Sequence, residues 1–324
     1  MKILTAAPWS RWTFITGAVL LIPVILLLTV PVNTRDLESR SNPLEGHAEA
    51  KARLEAMLRT EKEACHPDGG SIVLAGNGKN GRVAVLFHGY TRCPRQMLRL
   101  GTLLREKGFS VLIPRVPRHG LANRMTREQE LLTAKELALF TDAVIDIAHG
   151  YGDTIAVAGF SMGGVMAAWA AQNRSDVERA VIIAPALGVH AVPAPLTRAA
   201  VHLALPLPNA YLWWNPQLKE NNGPPYTYPR FSTHGLAQVM RLGCAVIDGA
   251  GKSKPAARSI QIVTNAGDFS VNNRVTAQLE RSWRERGAER LGTHEIPGGL
   301  HIGHELFEPY VFDSRYERTL SLIA

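Results

Sequence analysis

Short apolar, β-branched runs recur along most of this chain: Ser71–Ala75, Val83–Phe87, Ser110–Pro114, Thr154–Ala158, Ala180–Ala184 and Ser259–Thr264, with a weaker one at Thr293–Pro297. Most are separated by stretches of helical character, at Pro94–Lys107, Glu128–Ala148, Met162–Gln172 and Arg274–Arg286. Short apolar strands alternating with helices imply an α/β class: a mostly parallel sheet covered by helices on both faces. With 324 residues, 46% of them hydrophobic, the chain can bury one large core or two modest ones.

The rhythm breaks once. Leu187 to Arg258 separates two successive strands by far more than a crossover helix needs, and it is rich in Pro and aromatics ("LPLPNAYLWWNPQ", "PPYTYPRF"). It is expected to be an inserted lid or cap over a pocket, with 71–186 and 259–324 forming the core; a longer surface excursion is the alternative. Ahead of the core, residues 33–70 read as a linker. Within it, 44–64 are rich in Ala, Glu, Lys and Leu and suggest a helix, a stalk or brace, halted by His66-Pro67-Asp68-Gly69-Gly70.

The N-terminus points to a membrane. Trp12 to Val32 carries no charge and is long enough to cross about 30 Å of hydrocarbon as a helix. The run ends in Val30, Pro31, Val32 and Asn33 rather than in a small-x-small cleavage site, which favours an uncleaved transmembrane anchor over a signal peptide. Lys2 and Arg11 precede it, so residues 1–11 are expected in the cytoplasm and the bulk of the chain outside. Secretion after signal cleavage is the alternative.

The net charge of +8 comes from 36 Lys and Arg residues scattered without a basic run, which argues for a solvated surface and against a nucleic-acid partner. Three cysteines, Cys65, Cys93 and Cys244, suit an exported domain with one disulfide, for which Cys65–Cys93 is the candidate pair. Such a bridge would stabilise by about 3 kcal/mol in the chain-entropy account. Three inert buried thiols is the competing reading.

Chemistry begins at Gly159-Phe160-Ser161-Met162-Gly163-Gly164, which follows the strand "TIAVA" and opens the helix "MGGVMAAWAAQN". A serine at a sharp strand-to-helix turn needs glycine on both sides, because a Cβ there would collide. That geometry exposes Oγ at the carboxyl edge of the sheet and aims a helix N-terminus at developing negative charge. Serine is a weak nucleophile and requires a base that is oriented by an acid. Asp268 follows the strand "SIQIVTN" on the same edge, whereas Asp248 lies within the insertion and Asp313 comes after both C-terminal histidines. In "GGLHIGHELF", His301 falls in the Gly-rich loop after the last strand and His304 is expected to start a final helix, which makes His301 the expected base. Two histidines three apart could also ligate zinc, but no third ligand cluster accompanies them, so neither a metal nor another cofactor is expected.

Upstream, "VAVLFHGYTRCP" ends a strand in His88-Gly89-Tyr90-Thr91. Together with the serine turn this resembles the α/β-hydrolases, and within them the monoacylglycerol lipase and serine aminopeptidase-like branch. The resemblance covers about residues 80 to 310. It implies an oxyanion hole built from the backbone N–H groups of Tyr90 and Met162. In that branch the catalytic histidine stands first in an H-x-x-H-E-L context, which again indicates His301. "IPRVPRHG" is similar to the loop after the family's fourth strand, with Arg118 where glycine is usual, so His119 is expected to be structural.

The expected activity is therefore a serine hydrolase of carboxylic esters, a carboxylesterase or monoacylglycerol-type lipase acting on a small ester or lipid. An aminopeptidase would need carboxylates for its substrate's ammonium, and Leu187–Arg258 holds two acidic residues, Glu220 and Asp248, against seven basic ones. An apolar wall of Leu212, Trp213, Trp214 and Met240 suits an acyl chain better. An acyltransferase, a serine aminopeptidase on the same triad and a catalytically silent envelope binding protein are the alternatives.

Overall fold

The computed structural model describes residues 30–307, apart from 62–63, 77, 215–218, 220–223 and 225. The Trp12–Val32 run therefore lies outside the described residues, save its last three. Among the described residues no helix is long and apolar enough to cross a membrane.

Among the described residues seven strands make the central sheet: β1 (Ile72–Leu74), β2 (Arg82–Phe87), β3 (Ser110–Ile113), β4 (Thr154–Phe160), β5 (Val177–Ile183), β8 (Ser259–Asn265) and β9 (Leu291–Ile296). Their order is β1-β3-β2-β4-β5-β8-β9. Only β1 runs antiparallel, Ile72 facing Ile113; the register then steps in parallel from Val83–Ser110 to Phe87–Gly159, Gly159–Ile182 and Asn265–Ile296. β2 and β3 are buried at consecutive positions, as a strand covered on both faces must be, whereas edge strand β9 alternates. Between the strands lie α2 (Leu98–Glu106), α3 (Ala134–Ala148), α4 (Met162–Asn173) and α7 (Asn273–Glu285). α4 is buried from Met162 to Gln172, including Trp169, because it crosses the middle of the molecule between β4, β5 and the cap.

The 44–64 helix is realised as α1 (His47–Glu61), which braces the core rather than standing free. Ala50 is buried against Gly150, where a Cβ would clash, and buried Glu61 accepts from Ser71 N–H (2.8 Å) and Ser71 Oγ–H (2.7 Å). Beside it, the wholly buried guanidinium of Arg174 joins Asp142 (2.9 Å), Asp146 (2.7 Å) and Asp176 (2.6 Å). The linker completes this network: Asp142 also accepts from Ser39 Oγ–H and Asp146 from Asn42 N–H. A buried guanidinium needs several carboxylates to offset its lost hydration.

The interval after β5 carries α5 (Thr197–Ala204), a two-stranded antiparallel ribbon of β6 (Tyr211–Trp213) and β7 (Arg230–Ser232), and the long α6 (Thr233–Ala250). Val32 packs into this cap with Val201, Met240 and Cys244, so the chain comes out of its apolar N-terminal run directly against the cap.

The Cys65–Cys93 bridge is not formed; all three cysteines are free thiols. Cys65 is held in an isolated antiparallel bridge with Leu121, while Cys93 turns its Sγ–H to Asp68 O (3.4 Å). Burial pushes the Cys93 thiol up to about 12 and that of Cys244 to about 11. Both are inert small hydrophobes, as the competing reading had for all three thiols, whereas Cys65 is only half-buried.

Candidate active site

The parallel strands end along one edge, and Ser161, Asp268 and the turn after β2 that carries Tyr90 are delivered there. β4 turns into α4 through Ser161, whose φ of 56° lies in the left-handed region. A serine held there is strained, and its surroundings enforce it. Ser161 N–H donates to Ile183 O (2.9 Å), and Ser161 O accepts from Val165 and Ala186 N–H (both 3.1 Å). A Cβ on Gly159 would strike Gly163 O, and one on Gly163 would strike Phe87 O, so both glycines are imposed by close backbone approach.

After β8, Asp268 is buried, and burial by itself would raise its carboxyl. The His304 hydrogen bond and charge and the amides of Ser270 (2.8 Å) and Val271 (3.1 Å) outweigh that, and its pKa is held below the usual carboxylate range.

The histidine that meets them is His304, not His301. His304 Nδ1 lies 2.6 Å from Asp268 Oδ2 and its Nε2 2.9 Å from Ser161 Oγ. That geometry assigns Nδ1–H as donor to the carboxylate and leaves the Nε2 lone pair facing the serine hydroxyl. His301 is exposed, at the end of the 3-10 turn Gly298–Leu300, in a left-handed conformation with φ 50°. The expectation that His304 starts a helix also fails: residues 301–305 form an irregular loop.

Two contacts explain this. Buried Asn265 donates from Nδ2 to Ile302 O (2.9 Å) and Gly303 O (2.8 Å), tying the loop over the site. Phe307 then packs on Phe160 (5.3 Å between centroids), the residue before Ser161, and Phe160 also faces the His304 ring at 4.9 Å. The sequence signal missed was the apolar pair Leu306-Phe307, which draws the residues beside it toward the serine turn.

At the end of β2, His88 Nδ1–H donates to Gly89 O (2.9 Å) and its Nε2 accepts from Val116 N–H (3.2 Å). Burial, helped by His119, lowers its pKa well below the ordinary imidazole value. Gly89 N–H is taken by Gln96 Oε1 (2.8 Å) and Gly163 N–H by His88 O (3.1 Å). Tyr90 and Met162, whose amides were expected to form the oxyanion hole, are buried beside Ser161, Met162 as the first residue of α4. A helix's first amides have no intrahelical acceptor and are free for an anion. His119 is fully buried, bonds Pro117 O (2.8 Å) and is pushed down to about 4 by burial, as a structural residue would be.

Ser161 and His304 open onto a cavity of about 550 Å³, within the range of small-ligand sites. Leu212, Trp213, Trp214 and Met240 all line it, joined by Phe231 and Phe269, which sequence reading did not single out. Among the described residues, the Lys, Arg, Asp and Glu side chains of the lining are Arg92 and Glu305, paired at 2.7 Å. Asp248 pairs with Arg198 instead, away from the lining.

Residues 78–280 match the model of the family described as serine aminopeptidase, S33. The chain belongs to that family. It has the α/β-hydrolase fold, and the proteins it resembles include lipolytic enzymes. A thermostable monoacylglycerol lipase from Bacillus sp. (strain H-257) is 30% identical over 171 residues, a match covering 51% of this chain and 63% of that protein. A solved structure from work on two metagenome-derived lipolytic enzymes, LipS and LipT, superposes with a TM-score of 0.58 at 19% identity, covering 80% of this chain and 98% of the other. The monoacylglycerol lipase of Paleococcus ferrophilus does so with a TM-score of 0.57 at 19% identity, covering 76% and 96%. At such identity the superpositions establish the fold.

Proposed function

We propose that this S33-family protein hydrolyses carboxylic esters with an apolar acyl chain, of the monoacylglycerol or simple alkyl-ester class, through an acyl-enzyme on Ser161. The observation that carries the reading is the unbroken Asp268–His304–Ser161 hydrogen-bond chain opening into an apolar cavity.

Ser161 Oγ attacks the ester carbonyl while His304 Nε2 takes the hydroxyl proton, and Asp268 steadies the imidazolium from Nδ1. The Tyr90 and Met162 amides hold the oxyanion, each donor of this kind contributing about 3 kcal/mol to the transition state. As the tetrahedral intermediate collapses, the C–O bond to the alcohol breaks and His304 returns the proton to the leaving oxygen. Water, deprotonated by His304, then repeats the sequence on the acyl-enzyme and releases the acid.

An ester suits the cavity better than a peptide N-terminus. Glu305 is the carboxylate of the lining, and Arg92 already engages it, so no unpaired carboxylate there awaits an ammonium among the described residues. The relatives named as monoacylglycerol lipases support the same choice.

A panel of p-nitrophenyl esters from acetate to palmitate, run beside aminoacyl p-nitroanilides, tests this. We expect hydrolysis of the esters, abolished in Ser161→Ala, with little on the anilides; a preference for the anilides would overturn it.

We further propose that the uncharged Trp12–Val32 run anchors the chain in a membrane with the catalytic domain outside the cytoplasm. The run's length, its lack of charge and the position of Lys2 and Arg11 support this. Recovery of the full chain in a carbonate-washed membrane fraction is expected, and quantitative recovery in the soluble fraction would contradict it.

A further inference from the structure

The turn that carries the Tyr90 amide is gripped by the cap as well as by the core. Three hydrogen bonds cross to it: Trp214 Nε1–H donates to Thr91 Oγ1 (2.8 Å), Tyr228 N–H donates to Thr91 O (2.9 Å), and Tyr90 Oη–H donates to Ser232 O (3.1 Å). Ser232 is the N-cap of α6, and Tyr90 is packed so closely beneath that helix that a Cβ on Gly235 would strike its hydroxyl. On the other side, Arg92 pairs with Glu305, the neighbour of His304.

The turn needs such support. Thr91 is buried with φ at +65°, a left-handed conformation that a β-branched residue adopts only under constraint. Of the three bonds from the cap, Trp214's is the one whose donor belongs to a side chain that both lines the cavity and remains 42% exposed. Its ring stacks on Phe231 at 4.2 Å, so whatever fills the cavity meets the same indole that restrains Thr91.

We propose that Trp214 is a positioning residue: through Thr91 it holds the backbone that aims the Tyr90 N–H, and so couples occupancy of the cap's pocket to assembly of the oxyanion hole. This rests on the ester-hydrolase reading above. Binding energy from the remote acyl chain is thereby used in the transition state rather than only in the ground state.

Trp214→Phe keeps an aromatic ring for the Phe231 stack but removes the donor. With a p-nitrophenyl ester, kcat is expected to fall about tenfold, the scale of one aligned hydrogen bond, while KM stays within about twofold. Inhibition by a trifluoromethyl ketone, which mimics the tetrahedral adduct, should weaken in parallel with kcat, and inhibition by the product acid should not. Thr91→Ala should reproduce the loss, the double variant should be no worse than either single one, and Thr91→Ser, which keeps the oxygen, should restore the rate. A Trp214→Phe enzyme with wild-type kcat, a change confined to KM, or multiplying losses in the double variant would each overturn the coupling while leaving the reaction intact. A Ser161→Ala variant as active as the wild type would instead remove the ester-hydrolase reading, and this inference with it.

Discussion

The two segments that meet at the site, the serine turn and the histidine loop, are built on opposite principles. Around Ser161 the backbone itself is the constraint: carbonyls of Gly163 and Phe87 stand where side chains at 159 and 163 would need room, so glycine is required and the motif is written locally. Around His304 no backbone conformation demands a particular residue. Its place is set from a distance by the Asn265 amide reaching two carbonyls and by Phe307 seated on Phe160. Local constraint leaves a signature in spacing; long-range constraint does not.

Replacing Ser161 by Ala should strike the first segment hardest, lowering kcat by about 10⁴-fold or more while the melting temperature stays put. A variant that melted much lower would mean that the serine has a structural share in the turn. Asp268→Asn comes next. It would favour the wrong histidine tautomer, and a drop in kcat of about 10³- to 10⁴-fold is expected with KM preserved. A loss below about tenfold would show that His304 is oriented by its loop alone.

Asn265→Ala sharpens the contrast directly, because the lost amide meets no triad side chain, yet it releases the carbonyls of Ile302 and Gly303 together with the N–H of Gly267. We expect kcat to fall about 10- to 100-fold with KM unchanged, as for displacement of a general base. Full activity would mean that Phe307 alone fixes the loop.

The same division explains what could be read in the sequence. Strand and helix runs were legible because burial on both faces forces continuous apolar stretches, and Ser161, Asp268 and the Tyr90 turn follow from their positions at strand ends. The Cys65–Cys93 pairing failed because cysteine count and compartment carry no geometry: Cys93 turns its thiol to Asp68 and Cys65 is held by its backbone bridge with Leu121. His301 failed because two histidines in one loop are chemically equivalent until tertiary contacts choose between them.

The smallest effect concerns the turn that carries Tyr90. His88 and His119 are buried and neutral, the latter with a pKa lowered to about 4. In the unfolded chain such groups protonate near the ordinary imidazole value, so the unfolded state binds more protons below it and stability falls with pH. It is whole above about pH 6.5 and declines as the pH falls toward 4, by about 2 kcal/mol for His119 between pH 7.5 and pH 5, with His88 adding a loss of the same sign. Urea unfolding at those two pH values measures it, and equal midpoints would contradict a neutral buried pair.

Labelling by a fluorophosphonate probe, which reports activation of Ser161 without reference to any substrate, decides between the two histidines. In parallel time courses on folded protein, His304→Ala should lose at least about 10³-fold in labelling rate while His301→Ala labels like the wild type. The reverse pattern, or equal losses in both, would contradict the Asp268–His304–Ser161 assignment.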